Sequence, residues 1–191
     1  MDHLTQLLAE LTCNDDSRAI KALEHLEKLH DEAIGPLLIL SQNENADHRW
    51  WAVRALAAFD NEQSTSALIR SLADADLSVR QCAAIALRKR ATPKAIEALL
   101  DALQDQDRLL SRLAGDALTL IGAATIPDLA EILRNENSAV RGEAARVLAK
   151  MEDQATIAIL FSALDDSSSI VRFWVEEGLN KLKVGMLFFD V

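Results

Sequence analysis

Apolar residues recur along this chain with the period of a helix and, over a longer distance, with the period of a repeat. A hydrophobic–Arg step stands at Val79-Arg80, Val140-Arg141 and Val171-Arg172. Three places after the arginine column comes a small or β-branched residue: Ala52, Ala83, Ala114, Ala144, Val175. Seven places after it comes a leucine: Leu56, Leu87, Leu118, Leu148, Leu179. Residues four apart share one face of a helix, so each step opens a helix with one small-and-large apolar face. Ahead of each step lies a second amphipathic run, Leu68/Leu72, Leu99/Leu103, Leu129/Leu133 and Leu160/Leu164. Between the two runs sit polar turns, Asn43–Asp47, Asp74–Ser78, Asp105–Asp107, Asn135–Ser138 and Asp165–Ser169, whose residue types cap helix N-termini. Pro36, Pro93 and Pro127 are expected near the start of a first helix, where a missing N–H costs little.

The arginine spacing sets the unit. Arg49 and Arg80 are 31 residues apart, as are Arg141 and Arg172, and Arg80 to Arg141 is twice that interval less one. In the unit between, Leu110 takes the hydrophobic column and Ser111 the arginine column. Each unit therefore reads as helix A, a short acidic turn and helix B, with units near 1–32, 33–62, 63–91, 92–122, 123–153 and 154–182. The first is degenerate. Arg18 lies 31 before Arg49, but the Leu26/Leu29 spacing predicts a helix B slipped by one, as an end unit with solvent on one side tolerates. The remaining segment, 183–191, is an apolar tail with Met186, Leu187, Phe188 and Phe189, expected to cover the last repeat or to dock on a partner.

Val79-Arg80-Gln81-Cys82-Ala83-Ala84-Ile85-Ala86-Leu87, coming after an Asp-x-Asp turn, resembles the HEAT-like repeat named after the phycobilisome (bilin) lyases. Val140 to Leu148 repeats the pattern with one alanine replaced. The resemblance is firm over 33–182 and implies an all-α fold, an α-solenoid of about six HEAT-like helix-pair repeats. It also implies that helices B line a concave side and that the Asp and Arg columns, Asp76–Arg80 and Asn137–Arg141 among them, form a structural ladder. It is specific for fold and weak for function, because one architecture hosts many roles.

Composition agrees with stacked helices: 50% hydrophobic residues but only 4% aromatic, with no Tyr. The net charge of −10 argues against DNA and anionic lipid as partners, so nucleic acid and membrane are not expected. No apolar run approaches the roughly 18 residues that suggest a spanning helix. The N-terminus lacks a basic n-region, and a cytoplasmic protein is expected. Cys13 and Cys82 make neither a disulfide framework nor a metal clip.

Candidate chemistry is thin. The HEAT-repeat deoxyhypusine hydroxylases hold iron through repeated His-Glu pairs; none occurs here, and His3, His25, His30 and His48 all fall in the first quarter. Glu176-Glu177 are helix neighbours pointing about 100° apart, which does not converge on one bond. Gly115 and Gly122 stand alone, so no phosphate loop exists. No catalytic, metal or cofactor residue is nominated, and a non-enzymatic role is expected.

Binding is better supplied. Positions one, two, five and nine after the arginine column are not needed for the core and, by the resemblance, face the groove. They nominate Trp50, Trp51 and Arg54 in the second unit, Lys89 in the third and Arg112 in the fourth. Arg146 and Lys150 come next in the fifth, and Phe173, Trp174 and Lys181 in the sixth. Helix-B segments carry twelve basic and four acidic residues in an acidic chain, so the expected partner is a protein or peptide of acidic character. The alternative implied by the resemblance is a bilin lyase or phycobiliprotein chaperone subunit.

Overall fold

The computed structural model describes residues 2–29, 31–135 and 137–184. His30 and the tail residues Met186, Leu187, Phe188 and Phe189 lie outside the described residues. The chain divides into two compact units, 1–90 and 91–191. The first contains α1 (His3–Leu11), α2 (Asp16–Leu26), α3 (Asp31–Leu40), α4 (Ala46–Leu56), α5 (Glu62–Ser71) and α6 (Leu77–Arg90). The second contains α7 (Ile96–Leu103), α8 (Arg108–Ile121), α9 (Ile126–Ile132), α10 (Ser138–Met151), α11 (Ile157–Ser162) and α12 (Ser169–Lys181). The described residues form helices, turns and loops, with no strand among them, and the architecture is an all-helical repeat solenoid.

The helices start where short polar side chains can satisfy their first amides. Asp15 accepts from the N–H groups of Ser17 and Arg18, Asn61 from Ser64, and Asp107 from Leu110. Such caps are each worth about 1 kcal/mol. Pro93 opens a 3-10 turn before α7, and Pro127 stands in the first turn of α9. Pro36 departs from expectation: it lies inside α3, where its missing N–H gives up a bond to the carbonyl four residues back. The stretch Arg108–Ile132 is by length and composition apolar enough to cross a membrane, contrary to the expectation that no run would be. It is two helices, broken at the 3-10 turn Gly122–Thr125, where Gly122 adopts a φ of 81°. Its Leu110, Ala114, Leu118 and Leu129 are fully buried in the core of the second unit.

In both units the apolar columns form the core. Ala52, Leu56, Ala83 and Leu87 are fully enclosed in the first, as are Ala114, Leu118, Ala144, Leu148 and Val175 in the second. In α2 the columns move on by one residue, to Ala22 and Leu26. Small residues set the closest approaches. A Cβ on Gly178 of α12 would come within 2.9 Å of the Ala149 backbone on α10, so only glycine fits there.

The arginine column ties neighbouring helix pairs together. Arg49 donates through Nε and Nη2 to both carboxylate oxygens of Asp74, at 2.8 and 2.7 Å, and through Nη1 to the carbonyls of Asn43 and Glu44. Arg141 repeats this with Asp166, at 2.8 and 2.9 Å, and with the carbonyl of Asn135. Each guanidinium thus closes its own A–B turn and grips the turn of the next pair, a bidentate geometry that lysine lacks. The acids of the ladder are Asp74 and Asp166. Asp76 and Asn137, one step later, instead cap α6 and α10 by accepting from Ser78 and Ala139. Ser111, in the arginine column, donates to the Leu103 carbonyl at 2.6 Å and closes its own turn without a charge.

The hydrogen bonds from Arg49 and Arg141 hold Asp74 and Asp166 below the usual carboxylate value of 3.8, against desolvation that acts the other way. A depressed folded-state value contributes stability that is present above the unfolded value and is lost as pH falls through the folded one. Stability against urea is therefore expected to stay level from pH 7 to about 5 as far as these groups are concerned, and to fall below about 4. Asp166→Asn should lower stability at pH 7 by about 1–3 kcal/mol and flatten the acid slope. Equilibrium denaturation at pH 7 and pH 3 reads both effects.

Candidate functional site on the helix-B faces

In the first unit, α2, α4 and α6 contribute to a cleft of about 700 Å³. Trp50, Arg54 and Lys89 line it together with Gln81, Cys82 and Ile85. Trp50 and Trp51 pack edge to face with centroids 4.9 Å apart, and the Arg54 guanidinium lies 5.3 and 5.6 Å from the two rings. That stacking holds a charged group at the cleft without a carboxylate partner among the described residues. Trp51 is half-buried beside the cleft but is not among its lining residues. The sequence pattern missed the α2 wall: Ile20, Leu23, Glu24 and Glu27. The sequence pattern names groove positions only from the second repeat on; counted from Arg18 the same offsets fall on Ala19, Ile20, Leu23 and Glu27, and the last three line the cleft. Ile20 at 45% and Ile85 at 44% exposure leave large apolar surface open in the cleft.

In the second unit a cleft of about 610 Å³ is lined by Arg108 and Arg112 from α8, Glu143 from α10, and Ile170 and Trp174 from α12. Phe173 is 50% exposed and packs edge to face on Trp174, with centroids 5.1 Å apart. Arg112 is exposed but lies 3.4 Å from Glu143, Lys150 lies 3.5 Å from Asp116, and Lys181 lies 3.3 Å from Glu152.

Arg146 is a correction. Expected to face a partner, it is instead fully buried. Its guanidinium donates to Asp116 at 2.7 Å, to Glu143 at 2.6 Å and to the Arg112 carbonyl at 3.1 Å. Room for it exists because residue 115 is glycine: a Cβ there would stand 2.6 Å from Arg146 Nη2. Desolvation raises the Asp116 carboxyl, but hydrogen bonding and attraction from Arg146 and attraction from Lys150 outweigh it and leave it below its usual value. Arg90 is similarly occupied, donating to Thr65 at 2.6 Å and to the carbonyls of Leu56 and Phe59; desolvation lowers its pKa. The helix-B excess of positive charge is thus largely used inside the fold. The expectation of an acidic partner keeps only the support of Arg54 and Lys89 in the first cleft and of Arg108 and Arg112 in the second.

Burial pushes the Cys82 thiol up to about 11, which keeps it protonated near neutral pH and poorly nucleophilic. Among the described residues no three His, Cys, Asp or Glu side chains are grouped to hold a metal.

Comparison with known proteins gives a consistent result. The family of HEAT repeats matches residues 1–76, 34–119 and 96–180. No curated protein matches the chain in sequence. Among solved structures, the chain resembles YibA of E. coli at 19% identity and a TM-score of 0.60, over 98% of this chain and 75% of that one. It resembles a structure of the CpcE–CpcF complex of phycocyanin lyase from Nostoc sp. PCC7120 at 22% identity and a TM-score of 0.56, over 100% and 89%. It also resembles a designed armadillo repeat protein in complex with the peptide (KR)4 at 19% identity and a TM-score of 0.53, over 94% and 99%. At these identities the likeness concerns the fold.

The buried arginine has a measurable consequence. Arg146→Met should destabilise the protein by about 3 kcal/mol, the lower end for breaking a buried pair, because Lys150 and Arg112 still neutralise the stranded acids. Urea denaturation checks this; a change below about 0.5 kcal/mol, typical of surface positions, would return Arg146 to the binding surface.

Proposed function

The chain belongs to the HEAT-repeat family, and we propose that it is a protein-interaction scaffold that receives a segment of a partner on its helix-B faces. The observation carrying this reading is that each unit presents an open helix-B cleft with exposed aliphatic side chains beside a tryptophan and two basic side chains, Arg54 and Lys89 in the first and Arg108 and Arg112 in the second. Tryptophan and arginine are the residue types that most often dominate binding energy. Trp50, Trp51, Arg54 and Lys89 serve the first cleft, and Arg112, Phe173 and Trp174 the second. Lys150 and Lys181 are not among the residues lining the second cleft and pair with Asp116 and Glu152. The reading carries with it a cytoplasmic location and no cofactor. The designed armadillo repeat protein with its bound peptide is a precedent for peptide capture on this type of fold.

A second reading, a bilin lyase or phycobiliprotein chaperone subunit, draws on the similarity of the whole chain to the CpcE–CpcF complex. Titrating a bilin with the protein separates the two. The scaffold reading expects an unchanged absorption spectrum, and a saturable spectral shift favours the second.

The scaffold reading is tested by affinity capture with quantified binding of the captured partner. Arg54→Glu should weaken binding by thirtyfold or more, the equivalent of about 2 kcal/mol, while changing stability by no more than about 0.5 kcal/mol. Glu97→Lys, an exposed change on α7, should do neither. Equal binding by wild type and Arg54→Glu would move the site away from the first cleft.

A further inference from the structure

We propose that the cleft of the first unit selects a protein segment whose side chains run base, apolar, acid along an extended backbone. The inference rests on the scaffold reading and specifies the chemistry of its partner. Its basis is the order of charge across three neighbouring helices. The α2 wall presents Glu24, and the 3-10 turn that follows it presents Glu27, both exposed. The α4 and α6 side presents Arg54 and Lys89, also exposed. None of the four makes an ion pair among the described residues, so their charge faces solvent. Apolar surface accompanies them on all three helices: Ile20 and Leu23 on α2, Trp50 on α4 and Ile85 on α6. Unlike Arg146, whose partners lie within the fold, these groups have carboxylates on one wall and cations on the other.

α2 packs on α4 and α4 on α6. Packed helices lie about 8–10 Å apart, so the acidic wall and Lys89 are separated by two such steps, about 16–20 Å. An extended chain advances about 3.3 Å per residue, which sets the base and the acid of the partner about five or six residues apart, with an apolar side chain midway against Trp50 of α4. A uniformly acidic segment meets repulsion at Glu24 and Glu27, and a uniformly basic one meets it at Arg54 and Lys89. The cleft therefore rejects both, a selectivity created by repulsion as much as by attraction.

The test uses the whole chain, isotope-labelled for NMR, and four end-blocked heptapeptides. Two are mixed, Lys-Ser-Ser-Leu-Ser-Ser-Asp and its reverse, so that either chain direction is sampled. Two carry Lys or Asp at both ends. At low salt one mixed peptide should bind about tenfold more tightly than either uniform peptide and shift the amides of Ile20, Arg54 and Ile85. The Glu24→Lys, Glu27→Lys double variant should switch preference to the peptide with two Asp. A uniform peptide that binds wild type as tightly as the better mixed one overturns the charge order and leaves the scaffold reading standing. If none of the four binds, the charge order is likewise overturned, and the scaffold reading is decided separately by partner capture with Arg54→Glu.

Discussion

The structure depends on a guanidinium that serves two turns at once. A pair of short helices cannot bury its apolar face alone, and stacking leaves the relative position of successive pairs to be fixed. Arg49 and Arg141 fix it by holding the carbonyls of their own turn while gripping Asp74 and Asp166 on the next. Because these side chains are only 11–16% exposed, they are screened less than surface ion pairs, and losing one partner strands the other. The leucine and alanine columns supply the burial; the ladder decides which residues of helix B face the core and which face the clefts.

The same logic explains where the turns carry a carboxylate and where they carry its amide. Asp74 and Asp166 come after repeats that supply an arginine. Asn135 comes after the repeat with Ser111, and Asn43 after the repeat whose Arg18 pairs with Glu10 instead. All four accept a backbone N–H two residues on, so the turn itself needs only a side-chain oxygen. The charge appears where a cation from the preceding repeat meets it. Arg146 is a second device of this kind, buried by the glycine at 115 and neutralised by Asp116 and Glu143.

The fold was legible because its signals are periodic. The alanine and leucine columns each state the same packing requirement five times, and the slip in α2 could be read from Leu26. The candidate binding surface was less so, because a count of charges along helices B does not tell which are already paired. Arg146 looks in sequence like Arg54, at the same offset from its column; one is sealed and the other exposed. The difference lies in the facing residues: Gly115 and Asp116 stand opposite Arg146, whereas Trp50 and Trp51 hold Arg54 outward. The α2 wall escaped because the degenerate first repeat was given no groove positions, and with it went the acidic side of the first cleft.

Within each unit the ladder leaves an aligned row of helices whose outward residues are open to variation, an arrangement suited to recognising a chain segment. Binding as proposed on this surface would depend on that alignment, and the alignment depends on the ladder. A double-mutant cycle on Arg49 and Asp74 tests this most directly, with stability measured for Arg49→Ala, Asp74→Ala and the pair. The predicted coupling is at least about 1.5 kcal/mol, the range of close, partly desolvated charge pairs, with changed Trp50 fluorescence as the cleft loses its alignment. A coupling within about 0.3 kcal/mol of zero, the additivity expected of independent sites, would contradict it.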